Sequence, residues 1–91
     1  MAIFIISYDL RAPGRNYDGL HKALRDYAFA KPLESFWLIE STASAGAIRN
    51  TLKAHIDKND RLVVIEFTTN AGWATFGIQE DVMAWWQKRR P

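Results

Sequence analysis

The chain reads as a two-layer α+β domain in which a sheet carries both main helices on one face. Three observations carry that expectation. The segments 2–8, 36–39 and 62–67 are rich in β-branched and aromatic residues and apolar on both faces apart from Glu66, and the first has the pattern of an inner strand covered twice. Between them lie two stretches whose apolar residues recur at helical spacing. Strand, helix, strand, helix and strand alternate before a C-terminal appendage, and short connections of this kind place both helices on the same side.

In the first strand, Ile3 and Ile5 fall on one side and Phe4, Ile6 and Tyr8 on the other, and the run stops on Asp9. Pro13 and Gly14 break the chain. Tyr17, Leu20, Ala23, Leu24, Tyr27 and Ala28 then predict a helix over about 16–29, ended by Pro32. Residues 33–41 read as extended, with Phe36, Trp37, Leu38 and Ile39 apolar on both faces and a turn near Glu34 and Ser35. Thr42 or Ser44 caps a second helix with the stripe Ala45, Ile48, Leu52 and Ile56, ending near Asp57. The strand over 61–68 follows. After the turn at 70–72, residues 73–76 suit a short strand and 78–89 a helix with Ile78, Val82, Trp85 and Trp86 on its apolar side.

The sequence therefore describes one domain over residues 1–91, with a core at about 2–68 and a strand and helix appendage at about 72–90. A domain of this size buries only about 60–65% of its unfolded surface, so pairing with a second copy would help it. The sheet face away from the helices is also apolar and needs cover, from the Trp-rich end, from a second chain or from both. Cysteine is absent, which removes disulfides, thiolate catalysis and cysteine zinc sites. The start has no basic stretch, and its apolar run is far shorter than the roughly 20 residues of a membrane span; a cytoplasmic protein without a membrane partner is expected. A net charge of +2, from 12 basic and 10 acidic residues, leaves any nucleic-acid contact to local patches. Arg11 and Arg15 form one, and Lys88, Arg89 and Arg90 the other.

The run Ser7-Tyr8-Asp9-Leu10, the Leu33-Glu-Ser-Phe-Trp37 segment and the strand beginning Asp60-Arg-Leu-Val-Val-Ile65, each separated from the next by a helix, resemble the CRISPR-associated Cas-two superfamily. Its small SinR-labelled proteins are the nearest in pattern, and the virulence-associated D toxins are more distant. The resemblance covers most of residues 2–67 through short motifs. It implies a ferredoxin-like βαββαβ fold, with residues 33–41 divided into two strands at Ser35. It also implies a homodimer in which the aspartate ending the first strand, here Asp9, meets its counterpart and holds a divalent metal. Antiparallel topology then puts Asp60, with Asp57 and His55, at the same edge. The loop over 11–17 and the Trp-rich C-terminal helix depart from the CRISPR proteins.

Hydrolysis of a phosphodiester favours a hard cation that neutralises phosphate and activates water, and carboxylates are its ligands. Asp9 is thus the candidate catalytic and metal-ligating residue, with Mg2+ or Mn2+ as the ion and no organic cofactor. Arg11 and Arg15 are candidate phosphate contacts beside it. The simpler alternative is that Asp9 only accepts hydrogen bonds in the following turn. His21 and His55 lack ligand spacing and read as packed or capping residues. Glu40 and Glu66 are candidates for an acidic cluster, while Trp73, Trp85 and Trp86 are base-stacking candidates that more simply pack within the core or a dimer. Three functions fit: a metal-dependent nuclease on RNA or DNA, a non-catalytic nucleic-acid scaffold using the basic residues, and a protein-interaction module using the Trp-rich end.

Overall fold

Alternation along the first strand decides the layering. The structure is a computed structural model and describes residues 1–11, 17–68 and 70–89. Its elements are β1 (Ala2–Asp9), α1 (Asp18–Arg25), β2 (Ala28–Leu33), β3 (Phe36–Ser41), α2 (Ala45–Lys53), β4 (Arg61–Phe67) and α3 (Glu80–Lys88). The four strands form one antiparallel sheet in the order β2-β3-β1-β4. This is the ferredoxin-like two-layer sandwich, with β1 and β3 inside and β2 and β4 at the edges.

Phe4 and Ile6 of β1, with Trp37 and Ile39 of β3, face Leu20 and Leu24 of α1 and Ile48 and Leu52 of α2. All are buried, and each contributes roughly 1.5–3 kcal/mol relative to exposure. Ser44 starts α2 by accepting the Ala47 N–H at 3.1 Å, which selects it over Thr42 as the cap. On the other face, Ile3, Leu38 and Phe67 pack against Trp86 of α3. Trp73 stacks on Trp86 with ring centroids 4.3 Å apart, and Phe67 meets the same indole edge-on at 5.9 Å. The appendage thus supplies part of the cover that the open face requires.

Three expectations are corrected. The first helix is Asp18–Arg25, and Ala28 and Phe29 belong to β2 instead. Pro32 does not end a helix; it lies in an edge strand, where a missing N–H is tolerated, and the β2–β3 register shifts between Ala30 and Leu33. The second helix stops at Lys53, a turn before Ile56, and residues 55 and 56 close tighter turns on Leu52 and Lys53. The strand expected over 73–76 does not form. Asn70, at φ 68°, turns the chain off the sheet, and Trp73 is used for packing on Trp86 instead of strand pairing. Gly77, at φ 75°, adopts the left-handed conformation that glycine permits just before α3.

Candidate functional site

Strand polarity gathers chemistry at one end of the sheet. β1 ends there on Asp9, β2 turns into β3 through Glu34 and Ser35, and β4 begins there with Arg61, the ladder partner of Asp9. Arg11 bonds to Asp9 through both Nε, at 2.9 Å, and Nη2, at 2.8 Å. Both contacts fall on Oδ2, and the Asp9 side chain is 56% exposed, so Oδ1 is open to a ligand.

Asp60 does a different job. Its Oδ1 accepts the Arg11 N–H at 2.6 Å, Tyr17 Oη lies 2.9 and 2.8 Å from its two oxygens, and its Oδ2 accepts the Asp57 N–H at 2.7 Å. Asp57 in turn accepts the Asn59 N–H at 3.0 Å. One carboxylate thus ties the segment after β1 to the segment before β4. The expectation that Asp60 and Asp57 share an edge with Asp9 is met, but as a clamp. His55 packs against α1, close enough that a Cβ on Gly19 would approach its Nδ1 to 3.0 Å.

Two surfaces meet at Asp9. On the open sheet face, ladder pairs run Ile3 with Phe67, Ile5 with Ile65, Ser7 with Val63 and Asp9 with Arg61. α3 covers the first pair. Val63 and Ile65 stay 51% exposed, so an apolar strip uncovered by α3 leads along the sheet to Asp9. On the helix-bearing side, a depression of about 510 Å³ opens beside Asp9 between Tyr8, His21, Lys31 and the Glu34–Ser35 turn. The neighbouring end of α2 adds Arg49 and Lys53, and the segment after it Lys58, around a second depression of about 390 Å³.

Of the basic residues singled out in the sequence, only Arg11 is placed at this end; Arg15 and Arg90 lie outside the described residues. Lys88 and Arg89 end α3. The Arg89 guanidinium lies 4.4 Å from the Trp85 ring centroid, and its Nε is 3.7 Å from Glu40 Oε1. Glu40 pairs with Ile3, six residues along β1 from Asp9, or roughly 20 Å at strand rise. The described members of the two basic patches are therefore separate. Glu66, opposite Phe4, is also remote, so neither strand glutamate joins Asp9. Trp73 and Trp86 pack within the fold, as does the aromatic face of Trp85 under Arg89.

Sequence reading missed Lys31 and Glu34, because a helix over 16–29 hides the β2 alternation that carries Lys31 to this end. It also passed over Arg49, Lys53, Lys58 and Arg61. Among the described residues, no three His, Asp or Glu side chains of one chain are grouped to hold a metal, and no helix is long and apolar enough to cross a membrane. Burial raises the Tyr27 phenol above its ordinary pKa, at the far end of α1 from Asp9. No protein-family model and no curated protein sequence matches this chain.

Proposed function

We propose that this chain is a cytoplasmic, Cas-two-like protein, nearest the SinR-labelled branch, that engages nucleic acid as a homodimer and cleaves phosphodiesters at a paired Asp9 site. The observation that carries this reading is the apolar strip of Ile5, Val63 and Ile65 running into Asp9. Two-fold pairing across that strip would bring the two copies of Asp9 together where its axis runs beside this end of the sheet. The donor set suits a hard cation under that condition alone. One exposed carboxylate oxygen per chain is too few, whereas two carboxylates and water suffice for hydrated Mg2+ or Mn2+. Such an ion neutralises phosphate charge and activates water. Arg11, Arg49, Lys53, Lys58 and Arg61 surround this end and supply phosphate contacts.

A second reading has its own support: the double contact from Arg11 satisfies Asp9 within the chain. Here the protein binds nucleic acid without cutting it, and the Asp9–Arg11 pair only shapes the turn. Labelled RNA and DNA separate the two, incubated with magnesium, with chelator, and with Asp9→Ala. Metal-dependent cleavage that disappears in the variant supports the nuclease. Equal cleavage by the variant sinks it. Binding that weakens steeply with salt, with no cleavage, supports the scaffold, because phosphate contacts release counterions. Failure to bind either polymer defeats both and leaves a protein-partner role.

A further inference from the structure

The depression on the helix-bearing side of Asp9 has walls already held in place. Tyr8 Oη accepts the Trp37 Nε1–H at 2.9 Å and donates to the Glu34 carbonyl at 3.4 Å, fixing the turn that forms one wall. The His21 ring lies nearly parallel to Trp37, at 19° and 6.4 Å between centroids, and Lys31 Nζ stands 5.3 Å from the same ring. Trp37 itself is buried, so it acts as a floor on which His21 and Lys31 are set. The depression is open and its lining mainly polar, so recognition there rests on the placement of charged and hydrogen-bonding groups.

The lining selects the occupant. Lys31 offers a cation and His21 a ring N–H, which suit an anionic group. Glu34 and Asp9 offer carboxylates, which suit hydroxyl or N–H donors, and Ser35 serves either role. A free amino acid has one group of each kind, whereas a nucleotide brings a phosphate for Lys31 and His21 and several hydroxyl and N–H donors for Glu34, Asp9 and Ser35. A sugar phosphate carrying a base thus satisfies the charge and hydrogen-bond pattern of the lining. We propose that this cavity binds a single nucleotide unit, with its phosphate at Lys31 and His21 and its sugar or base donors at Glu34 and Asp9. This assignment rests on the nucleic-acid reading for its biological ligand, since the cavity opens at Asp9, but it requires neither metal nor cleavage.

The test is a titration of isotopically labelled protein with AMP, CMP, GMP and UMP, followed through the Trp37 Nε1–H and His21 ring resonances. Inorganic phosphate and ribose 5-phosphate serve as comparison probes. Saturable shifts at both rings are expected, with a nucleotide bound more tightly than either smaller probe. Lys31 is exposed, so Lys31→Ala keeps the fold and weakens binding about tenfold, as loss of a charge-assisted contact does; Glu34→Gln weakens it less. Rings that stay unmoved at millimolar nucleotide, or an unchanged affinity in Lys31→Ala, overturn the site. The two proposals fail separately. Oligonucleotide binding without ring shifts removes the cavity and keeps the nucleic-acid reading. Mononucleotide binding without oligonucleotide binding supports the cavity and removes that reading.

Discussion

Asp9 and Asp60 show how two aspartates at one sheet end take opposite roles. Asp60 gathers donors from Arg11, Tyr17 and Asp57, positions as far as 49 residues away in sequence. Asp60→Ala therefore leaves several donors without their acceptor and lowers stability by about 2 kcal/mol, read as a shift in the denaturant midpoint. In the proposed nucleic-acid complex Arg11, whose half-exposed guanidinium bonds Asp9 Oδ2, exchanges Asp9 for phosphate. Arg11→Ala reduces the slope of log affinity against log salt by about one and weakens binding evenly across sequences. Asp9 was legible in the sequence because a charge ending an apolar run needs no tertiary information. The clamp by Asp60 was not, because its partners converge only after β4 pairs with β1.

At the scale of elements, the junction between α1 and the end of α2 rests on Gly19. A methyl there would approach His55 Nδ1 to 3.0 Å, although alanine is otherwise the better helix former. A double-mutant cycle resolves the conflict. Gly19→Ala stabilises by about 1 kcal/mol in a His55→Ala background and gains less, or loses, in the presence of the imidazole. The strands of this fold were legible where both faces are apolar, in β1, β3 and β4. β2 was not, since Ala28 and Phe29 continue the helical period of α1 and Pro32 imitates a helix stop. Only pairing with Phe36–Ile39 converts the segment into a strand, so tertiary contact overrides a local pattern.

The whole molecule has one sheet face closed by α1 and α2 and the other closed only in part. α3, through Trp86, shields Ile3, Leu38 and Phe67 and leaves Val63 and Ile65 exposed. If the proposed homodimer forms across this strip, replacing Val63 and Ile65 with lysine separates it into monomers in sedimentation while moving the unfolding free energy of the monomer by no more than about 0.5 kcal/mol per site. Unchanged sedimentation would place the contact elsewhere. That an open apolar face exists could be read from β1 and β4 alone. How much of it the Trp-rich end covers could not, because a hydrophobic helix period does not say which strand it lands on.

The Pro32 segment has a consequence for how copies add to one another. A sheet grows without limit only when its two edges accept each other, one copy's β4 meeting the next copy's β2. Here the β2 edge carries a residue with no amide proton beside a register shift, so it offers no continuous row of donors to an incoming strand. Edge-to-edge addition would then be confined to one β4 meeting another, which ends after a single pairing. An apolar sheet with two matching open edges is a template for fibres; here the β2 edge lacks the match that head-to-tail growth requires.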